Sequence, residues 1–195
     1  SASVESICHS LRTSEPLEPE AYVLHSTGAL ASEYSRNDFP EAMNLLVCGY
    51  MTSFAMKSVE EIISKTEIDP RKLAIENVEF PFEFTRDIVD EFDTGICFDT
   101  GHLLAKMSGD ESVLEFYQAH RDRIVEVHLN DAVDTGIPGK FQDHLAIGTG
   151  ELPIKEFLME LKKDSFEGPL IFELTTEQII ESLHNIREVV PEVLE

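Results

Sequence analysis

Basic residues are scarce in this chain of 195 residues, in which 15 lysines and arginines stand against 38 aspartates and glutamates for a formal net charge of -23. Proteins that bind nucleic acids obtain much of their affinity from basic side chains that neutralise phosphates. The adjacent pair Lys162-Lys163 and the pair Arg121 and Arg123 stand isolated among acidic residues, so no local basic patch is evident. The composition therefore argues against a nucleic-acid partner.

Long apolar runs and a cysteine framework are also missing. No run approaches the roughly 20 apolar residues that a membrane-spanning helix needs, so no membrane partner is expected. The three cysteines, Cys8, Cys48 and Cys97, make an odd count without a metal-binding spacing. Cys97 lies inside an apolar strand-like run and is interpreted as a small buried hydrophobic residue. This cysteine usage favours a cytoplasmic location.

The chain does contain enough apolar material for a core, with 42% hydrophobic residues. A chain of this length is expected to form one domain, which we take to be residues 1–195. Short apolar runs of β character alternate with segments of helical spacing, and that alternation predicts an α/β fold with a parallel sheet and right-handed crossovers. The predicted strands are Ala21–Leu24, Leu73–Glu76, Gly95–Asp99, Ile124–Leu129 and Leu170–Leu174.

Two local patterns give further expectations. The segment from Asn130 to Leu152 is rich in glycine and has no clear helical pattern, so it is predicted to be a long loop with a functional role. Ser58 is followed three residues later by Glu61, which predicts a capping box at the start of a helix.

Side chains that can bind a metal stand at the ends of four predicted strands: Glu76, Asp99, His128 and Glu173. Taken singly, a strand-end glutamate is more often a surface charge, and Asp99 could simply cap the helix that follows it. Because the carboxyl ends of neighbouring parallel strands meet at one edge, however, the four are expected to lie together. Three carboxylates and an imidazole suit one divalent ion, Mn²⁺, Mg²⁺, Co²⁺ or Zn²⁺.

Further polar residues stand close to these strand ends. His25 ends the first predicted strand, and His102 follows the strand-end aspartate by three residues, which is about one turn of the next helix. His144 lies in the predicted long loop. Asp131, three residues after the strand-end histidine, is either a turn residue or a residue that supports or contacts a substrate.

Five segments, IEN, FDTGH, VHLND, DHLAIGTGEL and PLIFEL, together resemble the xylose isomerase-like TIM barrels. That superfamily includes sugar and sugar-phosphate isomerases and epimerases as well as the class II AP endonucleases. The resemblance covers about residues 20–190. The motifs are specific as a set, whereas each is weak alone.

The resemblance implies a barrel-type sheet in which the strand-end residues Glu76, Asp99, His128 and Glu173 close strands five to eight and form the shared metal quartet. It also implies that strands one to three have no counterpart here, so the chain is expected to be an N-terminally truncated barrel of strands four to eight. Open edges of such a sheet favour a homo-oligomer, or a missing N-terminal portion.

The function that the resemblance implies is that of a metal-dependent isomerase or epimerase, which acts on a sugar, sugar phosphate or related polyol through an enediolate. Glu76 and Glu173 are assigned the acid and base roles because this pair moves the proton in the epimerases of the family. The residues expected to contact the carbohydrate are His25, His102, Asp131 and His144, with Lys140 as the nearby candidate for a phosphate group.

Two alternatives stay open. A truncated barrel could keep these side chains while serving as a non-catalytic binding or assembly module, and a metal titration would separate that role from an enzyme. A phosphodiesterase of the AP-endonuclease type is less favoured, since Gln142 occupies the position of an aspartate in that branch and the net charge is strongly negative. Nicking of abasic-site DNA would reveal it.

Overall fold

The computed structural model describes residues 1–27, 40–78, 80–137 and 140–193. The chain divides into two compact units, residues 1–97 and residues 98–195. The first unit contains α1 (Ala2–Ser14), β1 (Tyr22–Leu24), α2 (Glu41–Thr66), β2 (Leu73–Glu76), α3 (Phe82–Phe92) and the start of β3 (Gly95–Asp99). The second contains the end of β3, α4 (Thr100–Leu104), α5 (Val113–His120), β4 (Ile124–His128), β5 (Asp131–Ile137), β6 (Lys140–Leu145), α6 (Ile154–Lys163), β7 (Leu170–Ile171) and α7 (Thr176–Val189).

Five parallel strands follow one another in the order β1-β2-β3-β4-β7, so the predicted α/β class is confirmed. The β1–β2 and β2–β3 ladders belong to the first unit, and the β4–β7 ladder belongs to the second. Strand β7 is shorter than predicted and ends at Ile171. Its ladder stops there because Ile171 pairs with His128, the last residue of β4.

The core of the first unit lies between β2 and the helices. All four residues of β2 are buried, as expected for a parallel strand covered on both faces. Helix α1 begins at Ser1, whose side chain accepts a hydrogen bond from Val4 N, and it buries Val4, Cys8 and Leu11. These three positions share one side of the helix because they are three or four residues apart.

The capping box predicted at Ser58 was wrong, because Ser58 lies in the middle of α2. The helix runs without interruption to Thr66, and Ser58 Oγ donates to the carbonyl of Phe54 at 3.1 Å inside it. A serine in the middle of a helix can bond the carbonyl four residues earlier in this way. The spacing of Ser58 and Glu61 therefore does not mark a helix start.

Aromatic rings fill the core of the second unit. Phe98 stacks on Phe116 with ring centroids 4.5 Å apart and meets Phe157 edge-on at 5.9 Å. Helix α5, which supplies Phe116, is fixed at its start by a capping box between Ser112 and Glu115.

The predicted long loop contains an antiparallel hairpin. Strands β5 and β6 pair through Asp131 with Leu145 and Val133 with Gln142, with irregularities in register between these pairs. Residues 138–139 lie outside the described ranges. The loop interpretation was wrong because β5 and β6 are largely polar and lack the alternation that marks a half-buried strand, so their pairing left no local signal.

Two expectations from composition can be compared with the structure. Cys8, Cys48 and Cys97 are buried free thiols, as predicted for Cys97. Among the described helices, none combines the length and apolar character that a membrane crossing requires.

Candidate metal site

Asp99 ends β3 and serves two purposes. Its Oδ1 accepts a hydrogen bond from the backbone N–H of His102 at 2.8 Å, so it does cap α4. Its Oδ2 accepts from Asn130 Nδ2 at 2.8 Å, and the residue is fully buried. The cap and the second bond together fix the carboxylate plane at the end of the strand.

His128 ends β4 next to this carboxylate. Its Nδ1 lies 3.2 Å from Glu173 Oε2 and 3.8 Å from Asp99 Oδ2. Its Nε2 lies 3.2 Å from Glu126 Oε1. A neutral imidazole that donates its Nε2 proton to Glu126 presents the Nδ1 lone pair to the other two carboxylates, which is the orientation that a metal ligand requires.

Glu126 is a residue that sequence reasoning missed. It lies inside β4, two residues before His128, and its side chain is 12% exposed. Alternate residues of a strand face the same side, so the run Ile-Val-Glu-Val-His carried the signal that these two side chains would be neighbours.

Strand β6 brings two further residues to the cluster. His144 Nδ1 is 3.0 Å from Asp143 Oδ2, and His144 Nε2 is 3.5 Å from Glu173 Oε2. The ring centroids of His102 and His144 are 5.5 Å apart, and His102 Nε2 is 3.9 Å from Asp143 Oδ2. The second unit thus gathers two carboxylates around His144 and places a second imidazole beside it.

The electrostatics of this group follow from those contacts. The hydrogen bond to Asp143 raises the pKa of His144 to about 9, with Asp99 and Glu173 contributing and burial opposing. The same hydrogen bond lowers the pKa of Asp143 below its usual value. At neutral pH the metal-free pair is therefore a charged imidazolium and a carboxylate.

Two overlapping donor sets in the second unit have a chemistry that suits a divalent cation. The first set is Asp99, His128 and Glu173, and the second is Asp99, His102 and His144. Within each set the ligand atoms lie within 4.8 Å of one another. Metal–ligand bonds of about 2.0–2.3 Å place neighbouring ligand atoms roughly 3 Å apart. Either set could reach that spacing by side-chain adjustments of an ångström or so.

Comparison with known families identifies the fold. The model of the family described as Xylose isomerase-like TIM barrel matches residues 2–192. The chain belongs to this family. The match covers both compact units and agrees with the resemblance seen in the sequence motifs.

Several solved structures are similar to this family member. A xylose isomerase domain protein from Planctomyces limnophilus is 16% identical, with a TM-score of 0.56 over 74% of this chain and 52% of that chain. A 3-keto-D-glucoside 4-epimerase from E. coli is 15% identical, with a TM-score of 0.47 over 75% and 53%. A D-allulose 3-epimerase from Methylomonas sp. is 19% identical, with a TM-score of 0.40 over 72% and 47%.

These likenesses extend to the fold only. The chain spans about half the length of the solved structures that it matches. The first of them supports the α/β barrel-type assignment, with five parallel strands in the described part of this chain. Comparison with curated proteins finds no match.

Two predicted site residues of this family member lie together in the first unit. Glu76, the last residue of β2, is almost fully buried, and its Oε2 is 2.8 Å from His25 Nε2. The His25 side chain is 59% exposed, so one edge of the pair faces solvent. Their roles as metal ligand, acid or base and substrate contact stay predictions.

The carboxylate of Asp131 is held by the protein backbone. It is fully buried, and it accepts four N–H groups, at 2.8 to 2.9 Å, from Ala132, Gly148, Gly150 and Leu152. A carboxylate has about four acceptor positions, so these bonds use them all. The arrangement favours a structural role for Asp131 over the substrate contact predicted from the sequence.

Lys140 stands at the other end of the hairpin. Its side chain is exposed, and its carbonyl accepts a hydrogen bond from Thr135 Oγ1. His144 is four positions farther along the strand, or about 13 Å at the usual rise per residue. The structure therefore does not bring Lys140 into the histidine cluster, and its phosphate-binding role stays a prediction.

Proposed function

We propose that the chain carries the metal-dependent isomerase or epimerase site of its family and acts on a sugar, sugar phosphate or related polyol. The observation that supports this most directly is the convergence of Asp99, His128 and Glu173, whose ligand atoms lie within 4.8 Å of one another. Each comes from the end of a different parallel strand or the residues just after it, where enzymes with this type of sheet hold their reactive groups.

In this proposal Asp99, His128 and Glu173 hold the cation. Glu76 completes the quartet, as the strand-end pattern and the family resemblance predict. A bound divalent ion would polarise the carbonyl oxygen of the substrate and so acidify the neighbouring C–H group. Glu126 supports the set by holding the His128 ring in the ligand orientation.

Proton transfer in this proposal uses two of the ligands and one histidine. Glu173 has a side chain that is 43% exposed, so a substrate can reach it and it can act as the base that removes the α-proton. Glu76 is the corresponding acid. His144 uses Nδ1 to donate to Asp143 and presents its Nε2 beside Glu173, where a substrate oxygen would bind.

Metal binding is the first experiment. Isothermal titration of the metal-free protein with Mn²⁺ should give saturable binding that Glu173→Gln and Glu76→Gln each weaken at least tenfold. The control, Glu181→Gln, changes an exposed glutamate on α7 and should bind like the wild type. Equal affinity in Glu76→Gln and wild type would remove Glu76 from the proposed ligands.

Proton exchange is the second experiment. Incubation with a panel of ketoses and ketose phosphates in D₂O should place deuterium at the carbon next to the carbonyl in at least one of them. The Glu173→Gln variant should not catalyse this exchange. Metal binding without exchange on any member of the panel would instead favour the non-catalytic binding module.

The second donor set supports one alternative function, that of a phosphodiesterase. Asp99, His102 and His144 could hold an additional ion, and two ions in adjacent sites are typical of enzymes that cleave phosphoesters. The metal stoichiometry separates the two proposals, since the isomerase site proposed above holds one ion per chain and the rival site would hold two. Two ions per chain, together with nicking of abasic-site DNA, would favour the phosphodiesterase.

A further inference from the structure

Gln178 on α7 uses both ends of its side-chain amide. Its Oε1 accepts from Thr175 N at 3.0 Å and from Thr175 Oγ1 at 2.9 Å, which forms the capping box at the start of the helix. Its Nε2 donates to the backbone carbonyl of His144 at 2.9 Å. One side chain therefore joins the start of α7 to the strand that carries a histidine of the candidate site.

The direction of this amide is fixed by its partners. A backbone N–H can only donate, so the oxygen of Gln178 must face Thr175 N and the nitrogen must face the opposite side. On that side lies the carbonyl of His144, which can only accept. The reversed amide would place two donors against each other and two acceptors against each other, so the orientation follows from the network.

His144 needs such support because its backbone is strained. Its φ is +52°, in the left-handed region that non-glycine residues seldom adopt. Conformations of this kind persist when their surroundings hold them. Gln178 holds the carbonyl of His144, and farther along the same side of α7, Ser182 Oγ accepts from Ile147 N at 2.9 Å while Asn185 Nδ2 donates to Ile147 O at 2.7 Å.

We propose that Gln178 is a positioning residue that sets the His144 imidazole against Glu173. The helix cap that Gln178 completes is at Thr175, two residues after Glu173, and its other bond is to His144 itself. Gln178 thus links the two chain segments whose side chains stand 3.5 Å apart in the cluster. The importance of this link for catalysis rests on the proposed function, whereas the link itself does not.

A glutamate at position 178 would keep the helix cap but lose the bond to His144, so this substitution separates the capping role of Gln178 from its positioning role. A capping box accepts either residue, and the other box of this unit uses Glu115 with Ser112. A glutamate at position 178 would keep the acceptor for Thr175. It would also place a carboxylate oxygen against the carbonyl of His144, which removes the donor and adds repulsion.

The test compares Gln178→Glu with Glu115→Gln, which makes the reciprocal exchange in the other capping box. Side-chain ¹⁵N–¹H NMR of the metal-free protein reports the imidazole nitrogens, and the His144 signals are identified by their loss in His144→Gln. We expect the His144 signals to shift in Gln178→Glu and to stay in place in Glu115→Gln. Both variants should keep a cooperative thermal transition, because both keep their caps.

Unchanged His144 signals in Gln178→Glu would overturn the proposal. If that variant does not fold, Gln178→Met serves instead, since it fills the same space without a donor or a repulsive charge, and the same shift is expected. Deuterium exchange on the ketose panel tests the proposed function separately: exchange should slow by about tenfold or more in Gln178→Glu because His144 is misplaced, whereas Mn²⁺ affinity should stay close to that of the wild type because His144 is not among the proposed ligands. A wild type that exchanges no member of the panel would contradict the proposed function and leave the NMR result decisive for Gln178.

Discussion

Glu126 Oε1 lies 3.2 Å from Nε2 of His128, two residues farther along the same face of β4. With the ring proton on Nε2, where it is donated to Glu126, the Nδ1 lone pair faces Asp99 and Glu173. A strand is a rigid support, so the pair is already arranged before any metal arrives.

The first prediction concerns this pair. Replacing Glu126 with glutamine keeps the shape but weakens the acceptor for the His128 proton, and it allows the ring to adopt the other tautomer. Affinity for Mn²⁺ should fall about 10- to 100-fold, the usual effect of losing a residue that orients a metal ligand. Isothermal titration measures this, with Glu181→Gln as the matched control. Unchanged affinity would mean that Glu126 does not orient His128.

The second prediction concerns pH and the His144–Asp143 pair in metal-free protein. The folded pKa of His144, about 9, exceeds its ordinary value of 6.5. Its contribution to stability is therefore complete below pH 6.5 and is lost as pH rises through 9. Asp143 has a lowered pKa, so its contribution is complete above its ordinary value of 3.8 and is lost as pH falls further.

Thermal melting from pH 5 to pH 10 checks this. Since the His144 side chain is 37% exposed, its contribution is expected to be about 1 kcal/mol, or about 2–4 °C in Tm. The difference between wild type and His144→Gln should be present at pH 6 and vanish near pH 10. A constant difference across that range would show that the charge on His144 does not contribute.

The third prediction concerns Asp131. Asparagine at this position has the same shape but only one acceptor oxygen, so two of the four N–H groups now bound by the carboxylate would face an NH₂ group. Each buried donor left unsatisfied costs about 1–3 kcal/mol, so unfolding free energy should fall by about 2–6 kcal/mol. Chemical denaturation measures it.

Asp110→Asn is the control for this change, because it alters an exposed aspartate of the same unit. Its effect should stay within about 0.5 kcal/mol. Gly150→Ala should destabilise the same loop, since an added Cβ would lie 2.4 Å from Asp131 Oδ1 and from the carbonyl oxygen of Ala132. A stable Asp131→Asn protein would contradict the anchoring role.

The fourth prediction concerns association. Strands β1 and β7 stand at the two ends of the strand order, and Val23, Leu170 and Ile171 on them are 37–41% exposed. We predict that copies of the chain associate through one of these strands. Because the net charge of -23 opposes association, sedimentation at micromolar concentration should show more dimer in 0.5 M than in 0.05 M NaCl. A monomer at both salt concentrations would be evidence against it.

Much of the parallel sheet could be predicted because its signals are local. The strands Leu73–Glu76 and Gly95–Asp99 are continuous apolar runs that end in polar residues, and both have the predicted bounds. Strand Leu170–Ile171 was predicted too long because its end is set by its partner strand, which no local pattern reports. The hairpin was missed for a related reason: β5 and β6 are largely polar and lack the alternation that marks a half-buried strand.

In the candidate site, too, residues with a local sequence signal could be predicted, whereas contacts between distant segments could not. Strand-end positions led to Asp99, His128 and Glu173, because parallel strands carry such residues to one edge. Gln178 could not be found from sequence, since its capping role is visible in the Thr-x-x-Gln pattern but its bond to His144 joins residues 34 apart. Contacts of that kind depend on how a helix packs on a strand, and no spacing rule predicts them.

The loop around Asp131 is held mainly through its main chain, because the buried carboxylate binds three backbone N–H groups of that loop. Thr149 adds one side-chain bond, since its Oγ1 donates to the carbonyl of Ala146 at 2.7 Å. The exposed side chain of Glu151 supplies none of these bonds. Position 151 is therefore a place where the sequence can change while the loop beside the histidine cluster keeps its form, which makes it suitable for a library that searches for new substrate preferences.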